Sequence, residues 1–189
     1  MQLLIILSAI LLASSPMSQE SSSSASEAKS TWLRGNTHTH TLWSDGDAPP
    51  ELAIKWYVDN GYDFLVLSDH NLVQLGEDWF PIAEDSRLTP AQVDRLRKEF
   101  GAEWPEVRER EGESEMRLRT LPELKARFEA GGAFLLVPGE EITDRFQRHE
   151  VHINALNVEN VIRPQRGGSV RQTIQRNLDA VIEHGRAND

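Results

Sequence analysis

The chain contains no cysteine. That absence removes disulfides, thiolate metal sites and a cysteine nucleophile, so any metal ion here must be held by nitrogen and oxygen donors. Basic charge is also scarce: 20 Lys and Arg stand against 30 Asp and Glu, a formal charge of −10. Such a field repels a phosphate backbone, which argues against bulk nucleic acid as a partner but leaves room for a local site that holds one phosphate. The long apolar run Leu3 to Ala13, broken only by Ser8, falls short of the roughly 20 residues that a bilayer-spanning helix needs. No stable membrane anchor is expected. Small residues at Ala13, Ser14 and Ser15 follow the run as a cleavage site requires, so residues 1–18 read as a signal peptide and the mature protein as exported, periplasmic or extracellular.

Residues 19–30, with "SSSSAS" at their centre, have too little apolar surface to order themselves and read as a linker. The folded domain is expected over 31–189, and 39% hydrophobic content suits a globular core. Pro50 and Gly61 bound a helix over "ELAIKWYVDNG", and "YDFLVLSDH" is a short buried strand ending in polar residues. A charge-mixed stretch, about 72–119, reads as an insertion. It carries a helix start at Thr89 and Pro90, and "EVREREGESE" within it reads as a solvated face. Thr120 and Glu123 have capping-box spacing for a helix that stops at Gly131 and Gly132. "AFLLVPGEE" is a second buried strand and "VHINALNV" alternates as a strand. Ser169 begins a last helix with Ile174, Leu178, Val181 and Ile182 on one face and Gly185 just past its end. This order predicts an α/β fold with largely parallel strands.

The residues that carry chemistry fall at the ends of those strands. In "GNTHTHTLWSDGD" an extended backbone turns His38 and His40 to one side, roughly 7 Å apart at their Cα atoms. An isolated H-x-H is a weak signal, but Asp45 follows the first strand, Asp69 and His70 the second, and Glu140 and Glu141 the third. His152 opens the next strand. In α/β folds residues at the carboxyl ends of strands gather in one crevice. So many carboxylates and imidazoles are stable together when divalent cations neutralise them.

These residues resemble the motifs of the polymerase and histidinol phosphatase (PHP) family of metal-dependent phosphoesterases. "HTHTLWSDG" is similar to its first motif, "LVLSDHN" to its second, "VPGEEIT" to its G-x-E motif and "VHINALNV" to its next histidine, over about Trp32 to Val158. The resemblance implies a distorted seven-stranded β/α barrel, of which this chain has pattern for the first half. It also implies roles: His38 and His40 on one metal, Asp45 and His70 on a neighbouring one, Glu141 bridging, His152 on a third ion. Asp69 is expected to hydrogen-bond a ligand imidazole and fix its tautomer. The cofactors implied are two or three ions of zinc, manganese or iron, and the substrate a small phosphorylated molecule, mono- or diester.

The family's later H-P histidine and closing D-x-H pair have no counterpart, since His184 sits where a cation suits a helix C-terminus. A fragment ending inside its catalytic domain is therefore expected. The alternatives are an inactive fragment, a metal- or carbohydrate-binding module without turnover, and an amidohydrolase-like metal hydrolase, which also opens on H-x-H but expects a ligand lysine. His149 reads as a solvated loop residue. Trp32, Trp43 and Trp56 flank the first motif, where they wall a pocket or simply fill core.

Overall fold

The structure, a computed structural model, describes residues 32–188. The expected signal peptide and Ser-rich linker lie outside the described residues. Among those described, no helix is long and apolar enough to cross a membrane.

The fold is mixed α/β. Four strands form the main sheet: β1 (Gly35–Asn36), β2 (Phe64–Leu67), β6 (Leu135–Phe146) and β7 (His149–Leu156), in the order β1-β2-β6-β7. The first three run parallel and β7 returns antiparallel to β6. Parallel neighbours need crossovers, and helices α1 (Pro50–Asp59) and α3 (Leu121–Phe128) supply them. β2 is four consecutive apolar residues, as a strand covered on both faces should be. β1 lies so close to it that a Cβ on Gly35 would fall 2.1 Å from the Phe64 ring. Ile54, Leu65, Leu67, Leu124, Leu136 and Ile142 form the main core between sheet and helices. Truncating one such leucine costs about 2–5 kcal/mol.

β6 is longer than its sequence suggests. Residues 135–138 pair with β2, and residues 139–146 pair with β7. Glu140 and Glu141 therefore lie inside a 12-residue strand, just past the point where it changes partner, and not at a strand end. Side-chain alternation then divides the strand. Glu140, Ile142 and Asp144 are buried, with Asp144 held by the last helix, while Glu141, Thr143 and Arg145 take the opposite face.

Between β2 and α3 the chain builds a second, antiparallel sheet in the order β3-β5-β4: β3 (Trp79–Pro81), β4 (Val107–Arg110) and β5 (Glu113–Arg117). The expectation that "EVREREGESE" is merely a solvated face is corrected here. Glu111 and Gly112 both have positive φ, 54° and 88°, as a tight two-residue hairpin turn demands. Cross-strand charges then pair, with Arg108 Nη2 2.7 Å from Glu115 Oε2 and its guanidinium 3.8 Å over the Trp79 ring. Helix α2 (Pro90–Phe100) begins at Thr89 with a full capping box to Gln92. It packs Val93 and Leu96 into a second apolar cluster with Leu42, Trp43, Leu88 and Met116.

Helix α4 (Val170–Asn188) runs past Gly185 and is rotated from its predicted face. Ile174, Leu178 and Ile182 are 39%, 41% and 51% exposed, whereas Thr173 and Asn177 are buried; of the predicted face, Val181 packs partly buried against the main core. Polar bonding overrides apolar periodicity: Asn177 Nδ2 donates to Asp144 Oδ2 at 2.8 Å, and Gln165 N donates to Asn177 Oδ1. Burial raises the Asp144 carboxyl, but bonds from Asn177, the backbone of Arg145 and Arg166, and the Arg166 charge outweigh it and hold it below its ordinary value. His149 is the first residue of β7 and not a loop residue, though it is exposed.

Glu140 has a single partner, the Ile162 N–H on Oε1, and its Oε2 is buried without one. Burial pushes its carboxyl up to about 7, against that one bond. An acid whose folded pKa exceeds its unfolded value, 4.5, costs stability as pH rises from about 4.5 to about 7. Glu140→Gln keeps the acceptor and removes the charge. In chelator, its melting temperature is expected to exceed that of the wild type at pH 8, by a stability difference on the order of 3 kcal/mol, and to match it near pH 4.5. Thermal unfolding across that range checks the sign.

Candidate metal centre

The first motif is not a strand where its histidines lie, which corrects the alternation argument. β1 ends at Asn36, and residues 37–41 continue without ladder pairing. Other bonds hold them: Ser68 N donates to Thr39 O, Thr39 N donates to Ser68 Oγ, and Asn36 Nδ2 donates to Thr39 Oγ1. The two rings still share one side, with centroids 4.7 Å apart. The loop carrying Asp45 folds back tightly, so that Gly46 N donates to Thr41 O. A Cβ on Gly46 would sit 2.6 Å from the His40 carbonyl carbon and oxygen. Glycine is needed there.

β2 hands over to Asp69, His70 and Asn71, which stay beside β6. Glu141 N donates to Asp69 O and Asn71 N donates to Glu141 O. Asn71, at φ 53°, clamps the Thr143 backbone with both side-chain atoms, accepting from its N–H at 2.9 Å and donating to its carbonyl at 3.1 Å. β7 adds His152 directly opposite Thr143.

All six predicted positions meet around Glu141, a carboxylate only 7% exposed. Its oxygens lie 3.8 Å from His38 Nε2, 3.2 Å from His40 Nε2, 2.8 Å from His70 Nδ1 and 3.2 Å from His152 Nδ1. Asp45 Oδ1 is 2.7 Å from His40 Nδ1 and Oδ2 is 3.3 Å from His70 Nε2. Three overlapping groups have donor atoms close enough to hold an ion: His38, His40 and Glu141; His40, Asp45 and His70; His70, Glu141 and His152. Donors about 2.1 Å from a tetrahedral ion stand about 3.4 Å apart, and most of these separations bracket that value. His40 Nε2 also fits the role. It is buried, has no hydrogen-bond partner, and faces Glu141.

The hydrogen bonds assign tautomers. His40 Nδ1–H donates to Asp45, leaving the Nε2 lone pair for the Glu141 side. The bond from His40, with His70 nearby, holds the Asp45 carboxyl below its ordinary value despite some burial. His38 Nδ1 is 3.0 Å from Ser68 Oγ. His70 Nδ1 is 2.5 Å from Thr143 Oγ1, which in turn donates to Glu141 O, so His70 offers Nε2 toward Asp45. Sequence reasoning missed the contacts of Ser68 and Thr143 with these rings, because a hydroxyl facing an imidazole leaves no spacing signal.

Asp69 is corrected. It bonds no imidazole. Buried completely, it accepts from Thr41 N, Thr41 Oγ1, Ser44 Oγ and Gln74 Nε2, at 2.6 to 3.0 Å. It ties the Asp45 loop to the end of β2 and so acts on placement rather than on tautomers. Glu140 points to the other face, as the family spacing implied when it selected Glu141. His184 belongs to none of the three groups among the described residues. Trp43 is core, with Nε1 donating to Arg119 O, while Trp32 is almost fully exposed.

No protein-family model matches the chain, and no curated protein does. Among solved structures, it is similar to a two-domain protein from Bacteroides vulgatus ATCC 8482, described as containing a predicted PHP-like metal-dependent phosphoesterase, at 16% identity and a TM-score of 0.40. The likeness covers 78% of this chain and spans only 32% of that one.

Asp69→Ala strands four donors, two of them from Thr41, in a buried place, at about 1–3 kcal/mol for each orphaned group. A loss of about 3 kcal/mol or more is expected in urea unfolding. Thr143→Val is expected to cost about 1 kcal/mol, and a larger loss for Thr143 than for Asp69 would contradict this division of labour.

Proposed function

We propose that this chain is a metal-dependent hydrolase of phosphate esters, of the PHP type, and that its main sheet is part of a (β/α)7 barrel. One observation carries the reading: a nearly buried carboxylate, Glu141, faced by four imidazoles from three separate segments. A carboxylate and neutral imidazoles suit zinc, manganese or iron. His38, His40 and Glu141 would hold the first ion, Asp45 and His70 a second, and His152 with Glu141 a third. When bound, divalent ions supply Lewis-acid polarisation of the ester and neutralise its charge.

The chain's own residues do the rest. Asp45 holds the proton on His40 Nδ1 and Thr143 holds the proton on His70 Nδ1, so that His40 presents a lone pair to Glu141 and His70 presents one to Asp45. Asn71 fixes β6 against the turn after β2, and Asp69 fixes the Asp45 loop. The crevice is open, with His38 and His152 partly exposed, as a site that admits a small phosphorylated substrate needs to be.

Purified protein is expected to carry two to three equivalents of divalent metal by elemental analysis and to hydrolyse an aryl phosphate. Chelation, or the pair His38→Ala with His40→Ala, is expected to lower that activity at least a hundredfold. Absence of stoichiometric metal, or full activity in the double variant, contradicts the reading. Metal without hydrolysis of any phosphate ester points to the binding module.

A further inference from the structure

Along β6 the face that carries Glu141 and Thr143 goes on to Arg145, and the register sets Glu141 opposite Asn154, Thr143 opposite His152 and Arg145 opposite Glu150. Directly opposed residues of an antiparallel pair share a face. The wall that holds the ligand cluster therefore runs out to a guanidinium, about 7 Å from Thr143 and about 14 Å from Glu141 at the Cα atoms, by rises of about 3.4 Å.

A cavity of about 160 Å³ lies there, lined by Thr143, Asp144, Arg145, Glu150 and Arg166. It adjoins the metal centre directly, because Thr143 Oγ1 and Glu150 Oε2 both stand within 3.5 Å of His152 ring nitrogens. At about 30 Å³ for each water, it has room for one phosphate or carboxylate group.

The charges around it are not all matched. Arg166 Nη1 is 3.0 Å from Asp144 Oδ1, and Asp144 is further committed to Asn177. Glu150 leans toward His152 Nε2. The Arg145 guanidinium has no ion-pair or hydrogen-bond partner among the described residues, although Glu150 is its cross-strand neighbour. In a chain of net charge −10, the cavity is lined by two guanidiniums, Arg145 and Arg166, and of these Arg166 is the ion-paired one.

We propose that Arg145 and this cavity form an anion subsite, and that the substrate class is a phosphate monoester whose organic part ends in a second anion, a carboxylate or a second phosphate. The substrate class rests on the hydrolase reading above; the subsite itself rests on β6 register and charge. A planar guanidinium binds either anion through paired, charge-assisted hydrogen bonds. The separation along the strand, about 14 Å between the Cα atoms of Glu141 and Arg145, suits an open chain of sugar length better than a second anion attached directly to the first, as in pyrophosphate.

The test uses three ligands that differ at one end: sorbitol 6-phosphate, 6-phosphogluconate and a hexitol 1,6-bisphosphate. Calorimetric titration of the metal-loaded protein is expected to give about tenfold tighter binding for at least one of the two ligands with a second anionic group than for sorbitol 6-phosphate. Whichever of the two gains identifies the second anion. Arg145→Ala is expected to bring that ratio to about one, and Arg145→Lys to keep part of it. Arg145 is exposed, so neither variant threatens the fold. Equal affinity for all three ligands, or a ratio unchanged in Arg145→Ala, overturns the subsite. Discrimination that persists while none of the three is hydrolysed leaves the subsite standing and removes the hydrolase.

Discussion

A single carboxylate, Glu141, sets the terms for the rest of this structure. Bringing a charge that far out of water is expensive unless it is paired or coordinates a metal. Four imidazoles converge on it, from the segment after β1, the turn after β2 and the middle of β7. Only a strand that meets β2 along one half and β7 along the other can bring those three sources to one side chain. β6 does so because it changes partner at Pro138 and Gly139. The topology and the site are thus one arrangement seen at two scales.

Alternation along β6 separates function from support. Glu141, Thr143 and Arg145 face the crevice, while Glu140, Ile142 and Asp144 are buried behind it. The supporting face is unusually polar, with Asp144 tied to α4 through Asn177 and Glu140 tied to the Ile162 backbone by one bond. That polarity explains why α4 turns its small polar residues inward and leaves an apolar stripe outside. A similar split holds at the other end of the site: Asp69 secures the Asp45 loop, and the hydroxyls of Ser68 and Thr143 orient His38 and His70.

Much of the site was legible in the sequence, since imidazoles and carboxylates recur at the ends of apolar runs where α/β topology gathers them. The strands β2 and β7 and helices α1, α2 and α3 were legible from apolar runs, alternation and caps. Other features were not. The β4–β5 hairpin is built from alternating Glu and Arg, whose pairing shows only across strands. The rotation of α4 depends on Asn177 meeting Asp144, a contact 33 residues apart with no local signature. The role of Asp69 was misjudged because adjacency to His70 suggested an imidazole partner, whereas the backbone just past β2 turns it toward Thr41 and Ser44.

Anomalous diffraction from crystals soaked in manganese or zinc tests the central claim most directly. The account predicts density about 2.0–2.3 Å from a Glu141 oxygen and from the Nε2 atoms of His38 and His40, with further density beside His70 or His152. Peaks confined to the acidic surface, or a crevice without any, would contradict it.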